Sequence, residues 1–251
     1  MSRGKRRFGK VLITGASSGI GHALALELAE PGTLFALVAR RKDRLDALKV
    51  ELEGQGATAL VFAVDVRDSA AMGEVARQFI DAGDGPMLAV ANSGISKGDA
   101  LHKGDPQPMN EVFTVNVLGA INTLAPLIPH MMERREGHLA VVGSVAGFRG
   151  LPGKGAYCAS KAAVKTLMDA YRPALRAYGI KVTTIAPGWV VSEMTADNSF
   201  RMPFLMDTDR AARIIADALA RGKRNCVFPW QMRLALPLIR RLPDWILSSR
   251  V

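Results

Sequence analysis

Val11-Leu12-Ile13-Thr14 runs without a break into Gly15-Ala16-Ser17-Ser18-Gly19-Ile20-Gly21, and the fold turns on that junction. The first four residues are apolar or β-branched, the composition of a buried strand. After Gly19, the residues Ile20, Leu24 and Leu28 fall on one helical face. Glycines between them let the backbone turn tightly, and the free N–H groups of a helix N-terminus favour a phosphate. The spacing is G-x-x-x-G-x-G rather than the commoner G-x-G-x-x-G. Such a string alone is sometimes only a turn. Its position after a first strand makes it a candidate pyrophosphate cradle.

Working outward, the same alternation repeats. Apolar runs at 11–14, 33–39, 59–64, 87–91, 139–143, 181–186 and 225–228 read as strands, separated by helix-period segments such as 211–220. Strands apolar throughout and divided by helices predict a mainly parallel, seven-stranded sheet covered on both faces. The fold class is therefore α/β, a single doubly wound Rossmann-type domain with right-handed crossovers. It is expected over 10–229, between a basic tail at 1–9 and an apolar, basic segment at 230–251. The stretch 190–209 is polar, Met-rich and poorly periodic, and is read as a long functional loop.

The formal charge of +10 on 251 residues raises a nucleic-acid reading. The basic clusters are short, however, and no aromatic-interleaved stripe accompanies them, so no nucleic-acid partner is expected. Two cysteines, Cys158 and Cys226, make no disulfide framework and suit a reducing cytoplasm. No apolar stretch precedes Val11, which argues against a secretory signal. No run of about 18 residues is apolar throughout, which argues against a spanning helix. His22, His102, His130 and His138 lack the mutual spacing of a metal site, and no metal is expected.

Two further constellations carry chemistry. The second strand ends in Ala39-Arg40-Arg41, where an enzyme using NAD usually offers a carboxylate to the ribose 2′-OH. Guanidinium groups there suit a 2′-phosphate and hence NADP(H), the bland alternative being a solvated basic turn. Asp65, ending the third strand, is placed to accept from an adenine amino group or to cap the next helix, with Asp68 a rival for the cap. Tyr157 and Lys161 stand four residues apart on one helical face, and Ser144 ends the fifth strand thirteen residues before Tyr157. A neighbouring ammonium, together with the positive nicotinamide of an oxidised cofactor, favours phenolate, turning a poor acid–base into a usable one.

Taken together, Thr14–Gly21, Asp65, Ala91-Asn92-Ser93-Gly94, Asn116, Ser144, Tyr157 with Lys161, and Pro187-Gly188-Trp189-Val190 resemble the motifs of the short-chain dehydrogenases/reductases, in that family's order. The resemblance runs from about Lys10 to Phe228. It implies that Tyr157 is the general acid–base, that Ser144 orients substrate, and that Lys161 lowers the Tyr157 pKa and binds the nicotinamide ribose. It implies a proton-relaying water at Asn116. It also implies cofactor contacts at Gly15, Ser17, Ser18, Gly19, Ile20, Gly21, Asp65, Val66, Asn92, Gly94, Pro187 and Gly188, with Val190 and Ser192 orienting the carboxamide. Ala91 stands where the family often has Asn, and Ser192 where Thr is common.

The expectation is an NADP(H)-dependent carbonyl reductase on a small apolar carbonyl or alcohol substrate, cytoplasmic and homo-oligomeric as a dimer or tetramer. The alternatives are a non-catalytic NADP(H)-binding regulator and a membrane-surface lipid ketone reductase. The segment 230–251 bears on the last. Its apolar residues and interspersed arginines suit a subunit interface, a pocket wall or a peripheral membrane contact. Pro237 and Pro243 predict short turns there rather than a long helix. Met194, Met202 and Met206 are read either as an adaptable pocket or as loop packing.

Overall fold

The computed structural model describes residues 8–196, 202–239 and 241. The basic stretch 1–7, the middle of the 190–209 loop, and residues 240 and 242–251 of the tail lie outside it. The chain alternates β1 (Lys10–Thr14), α1 (Gly19–Leu28), β2 (Leu34–Ala39), α2 (Lys42–Gly54), β3 (Thr58–Ala63), α3 (Ser69–Asp81) and β4 (Met87–Ala91). A continuous rod follows, made of α4 (Gln107–Phe113), a π-turn (Thr114–Leu118), α5 (Gly119–Leu124), a 3-10 turn and α6 (Ile128–Arg134). Then come β5 (Gly137–Val142), α7 (Gly155–Arg176), β6 (Ile180–Pro187), α8 (Glu193–Ala196), α9 (Thr208–Ala220), β7 (Asn225–Phe228) and α10 (Trp230–Ile239).

All seven strands pair in parallel, in the order β3-β2-β1-β4-β5-β6-β7. Chain order reverses between β1 and β4, where a crevice opens beyond the strand C-termini. Side chains explain the layers. Along β1, Val11 and Ile13 enter one core while Leu12 enters the other. Phe35 and Leu37 of β2 likewise oppose Ala36 and Val38. A two-residue period with both faces buried yields strands that are apolar without alternation. One face is covered by α1, α2 and α9, through Leu24, Leu48 and Ile215. The other is covered by α3, the rod and α7, through Phe79, Leu124 and Met168.

Three expectations change. The rod Gln107–Arg134 is long and apolar enough to cross a membrane by length and composition, an 18-residue window of it having a mean hydropathy of 1.5. Ala120, Leu124, Leu127 and Met131 nonetheless bury one side of it in the second core. The 190–209 stretch is not structureless, since it holds α8 and a parallel bridge between Val190 and Met206. Met206 is a core residue at 6% exposure, whereas Met194 is exposed. Finally, α10 runs through Pro237 as one helix. It packs on β7 and on the turn Val145–Phe148 beyond β5.

Candidate active site

The crevice is laced across the β1/β4 switch point. Asn92, just past β4, donates its side-chain amide to the carbonyls of Thr14 (2.9 Å) and Gly15 (3.2 Å). The Thr14 hydroxyl accepts in return from the backbone N–H groups of Asn92 and Ser93. Gly15 has φ +66°, in the left-handed region. A Cβ on Gly21 would stand 2.3 Å from the Gly15 carbonyl oxygen. The string therefore needs glycine at both positions to fold back on itself, and Ser17, Ser18 and Ile20 ride on that turn.

Beside it, Arg41 reaches across from the end of β2. Its Nε and Nη2 lie 3.3 and 3.1 Å from Ser17 Oγ, and Nη2 donates to Ser18 Oγ at 2.9 Å. Its Nη1 pairs with both carboxylate oxygens of Glu193 (3.0 and 2.9 Å), and Arg44 bonds the same carboxylate. The two guanidinium groups hold the Glu193 carboxyl down at about 2. Arg40 is exposed, and its charge is felt at Asp65 and Glu111 rather than at the serines. The contest for the α3 cap is decided: Asp68 takes it, accepting from Ala71 N–H at 2.9 Å. Asp65 instead binds Arg67 through both oxygens, which holds its carboxyl below the usual range. Val66 is buried beneath the rod, where a Cβ on Gly119 would meet its Cγ2 at 2.6 Å.

At the other end, α7 carries Tyr157 and Lys161, with Ser144 on the turn beyond β5. The Ser144 hydroxyl accepts from Ala146 N–H (3.1 Å) and stands near enough to the Tyr157 phenol to bear on its titration. Burial pushes the Tyr157 phenol above its ordinary 10, and the Ser144 hydroxyl pulls the other way. Lys161 is 5% exposed, and its ammonium donates to the Val142 carbonyl at 2.8 Å. Desolvation lowers it to about 8. The expected lowering of the phenol by Lys161 is therefore not the protein's own resting state. The ammonium lies 5.8 Å from the ring centroid and carries its own desolvation penalty.

Asn116 is buried on the π-turn. Both its amide hydrogens are spent, on Ile95 O and Ser160 Oγ (3.0 Å each), while Oδ1 accepts from Ile95 N–H at 2.8 Å. It thus pins the post-β4 segment to α7. A Cβ on Gly94 would stand 3.2 Å from Lys161 Nζ and 3.3 Å from Asn116 Oδ1, so glycine permits this close approach. Pro187 closes β6, and Gly188 N–H donates to Phe228 O at 2.7 Å. Val190 bridges to Met206, and Ser192 N–H donates to the Thr195 hydroxyl at 2.9 Å.

Three contributors escaped sequence reading. Asp99, buried between β4 and the rod, accepts from the backbone N–H groups of Gly155 and Ala156 and so caps α7 from 57 residues away. Arg44 and Glu193 complete the cluster around Arg41. Arg44 was discoverable, since it follows Arg41 at i+3. Asp99 and Glu193 act across long sequence separations and left no local signal. Cys158 and Cys226 are buried, with thiols pushed up by desolvation, Cys226 to about 11. Among the described residues no His, Cys, Asp and Glu group could hold a metal.

Comparison with known proteins bears on this geometry. The family model described as short chain dehydrogenase matches residues 9–202. An uncharacterized oxidoreductase of Myxococcus xanthus is 40% identical over 93% of this chain and 92% of its own length. A 3-oxoacyl-(acyl-carrier-protein) reductase of Staphylococcus epidermidis is 32% identical over 73% of this chain and 76% of its own. A short-chain dehydrogenase from Sphingobium yanoikuyae, solved in complex with NADPH, superimposes with a TM-score of 0.80 at 27% identity, covering 96% of each chain. With the parallel sheet, the glycine turn and the Ser144–Tyr157–Lys161 cluster already in place, the chain belongs to the short-chain dehydrogenase/reductase family of oxidoreductases.

Proposed function

We propose that the protein is an NADP(H)-dependent carbonyl reductase, with Tyr157 as its general acid–base. The observation that carries the reading is the gathering of Ser144, Tyr157 and a buried Lys161 at one place, with the ammonium 5.8 Å from the Tyr157 ring centroid. The glycine turn fits a dinucleotide, because its folded-back form leaves no room for a Cβ at position 21. The Sphingobium relative, solved with NADPH, supports the same class of cofactor. Arg41, already on the Ser17 and Ser18 hydroxyls, is the residue suited to a 2′-phosphate. Arg40 is the outer and weaker contributor. Asp65, Val66, Asn92, Gly94, Pro187, Gly188, Val190 and Ser192 frame the remaining walls, and Asn92 does so by holding the glycine turn in shape.

When bound, the nicotinamide supplies the hydride. The chain does the rest. Ser144 holds the substrate oxygen, and Tyr157 gives its proton to the developing alkoxide. A phenol pushed upward by burial stays protonated, the form that reduction requires. Lys161 presents an ammonium whose spare donors face the ribose position, and Asn116 keeps α7 and the post-β4 segment in register around it. A non-catalytic regulator would have no use for this arrangement.

The exposed Leu101, Val191, Met194, Phe204 and Leu205 all belong to segments 93–110 and 190–209, which supports an apolar substrate. The reductase activity of the Staphylococcus relative supports a carbonyl. The first helix of the tail, packed on the turn after Ser144, supports a pocket wall ahead of a membrane contact. Exposed Phe113 and Leu118 on the rod support a homo-oligomer. A panel of apolar ketones with NADPH oxidation followed optically is the direct test. Tyr157→Phe should lower kcat by at least about 10²-fold with NADPH affinity nearly unchanged. Turnover of a verified substrate by Tyr157→Phe at the wild-type rate would refute the assignment.

A further inference from the structure

The acidic residue facing Arg41 is the unexpected feature of the cofactor end. Arg41 has five N–H donors, and its contacts engage both terminal nitrogens and Nε: Ser17 and Ser18 on one edge, both oxygens of Glu193 on the other. Glu193 also accepts from Ser18 Oγ at 3.3 Å and from Arg44. It therefore caps the arginine on the side where a further anion would approach. The residue before it packs over the glycine turn, since a Cβ on Gly19 would stand 3.4 Å from Ser192 Cβ. Thus one carboxylate ties the post-β6 segment to the start of α2 across the mouth of the crevice.

We propose that Glu193 is a specificity-determining residue that occupies the 2′-phosphate position of the cofactor site and must be displaced by that phosphate. The proposal rests on the NADP(H) reading above. A dianionic phosphate and a carboxylate cannot share Arg41 without repelling each other, so the phosphate gains its arginines only as Glu193 leaves them. The pair is exchangeable, with the Arg41 and Glu193 side chains 39% and 53% exposed, and exposed ion pairs contribute little on balance. Release of Glu193 frees residues 190–196 from the glycine turn. Those residues lead into the segment expected to meet substrate, so 2′-phosphate recognition and substrate-side rearrangement become one event. A dinucleotide lacking the phosphate leaves the Arg41–Glu193 pair in place.

The test uses two probes that differ only at the 2′ position, 2′,5′-ADP and 5′-AMP, titrated calorimetrically into the full-length protein and into Glu193→Gln at one ionic strength. Removing the competing charge should tighten 2′,5′-ADP by about 3- to 5-fold and leave 5′-AMP within about 1.5-fold. Hydrogen exchange across 190–196 should rise in the wild-type protein on adding 2′,5′-ADP but not 5′-AMP. If Glu193→Gln binds 2′,5′-ADP no tighter while the wild type still prefers it to 5′-AMP, Glu193 is a structural clip and the proposal fails alone. If neither protein distinguishes the two probes, the NADP(H) reading itself falls.

Discussion

Among the described residues two lysines are sealed inside the molecule, and they are buried for different ends. Lys10 opens β1 at 1% exposure, and Lys161 stands on α7 at 5%. The Lys10 ammonium donates to the carbonyls of Ile80 (2.9 Å) and Gly83 (2.6 Å) and lies 4.8 Å from the Phe79 ring centroid. Asp84 and Asp81 partly offset the desolvation that lowers its pKa. Lys161 has one carbonyl, from Val142, and no carboxylate offsets its burial, so it falls to about 8. A buried charge that is fully partnered is architecture. One kept short of partners inside a crevice is held ready for something else.

The sharpest way to break this contrast is to remove each charge in turn. Lys161→Met should lower kcat/KM by about 10³-fold with the fold intact by circular dichroism, and a variant within a few-fold of wild type would erase the distinction. Next in size is a pH effect. The folded pKa of Lys161 lies below the ordinary 10.5, so between about 8 and 10.5 the unfolded chain binds more protons. The destabilisation from burying this lysine is full below pH 8 and vanishes as pH rises through that window. Denaturant titrations should show the wild type gaining up to about 3 kcal/mol relative to Lys161→Met across it. Parallel curves for the two proteins would mean that Lys161 is not buried as charged.

Lys10→Met should cost about 2 kcal/mol of stability, because two carbonyls lose their donor, yet leave kcat within twofold. A larger loss of turnover than of stability would move Lys10 out of the architectural class. The smallest expected effect belongs to Asp99→Ala, at about 1 kcal/mol by chemical denaturation for a lost helix cap. It should lower kcat several-fold with KM for the cofactor unchanged, since α7 carries Tyr157.

How much of this was legible beforehand follows from how local each signal is. The strands at 11–14 and 87–91 announced themselves because burial on both faces leaves a near-continuous apolar run. The start of β5 at Gly137-His138 did not, since glycine and a buried polar ring interrupt the run. Nothing in the sequence marks Lys10 as a buried lysine; only the placement of Ile80 and Gly83 does. The Tyr157–Lys161 pair was readable because a helix turn fixes its geometry. The direction of the Tyr157 shift was not, because desolvation depends on what the whole fold packs around the ring. The arginine expected beside the glycine turn was narrowed to two adjacent residues, and the turn into α2 brings Arg41 rather than Arg40 onto Ser17 and Ser18.

The reach of Asp99 has a practical consequence. Segment 93–110 is the natural place to graft a different sequence when altering what this protein accepts, and residue 99 sits in the middle of it. The carboxylate there is also the cornerstone of the helix that holds the Tyr157 phenol. A graft that keeps the loop's length but loses that one anchor would change selectivity and rate together, and the two would be mistaken for a single trade-off. Retaining Asp99 while varying its neighbours separates them, and makes the loop a dial for selectivity alone.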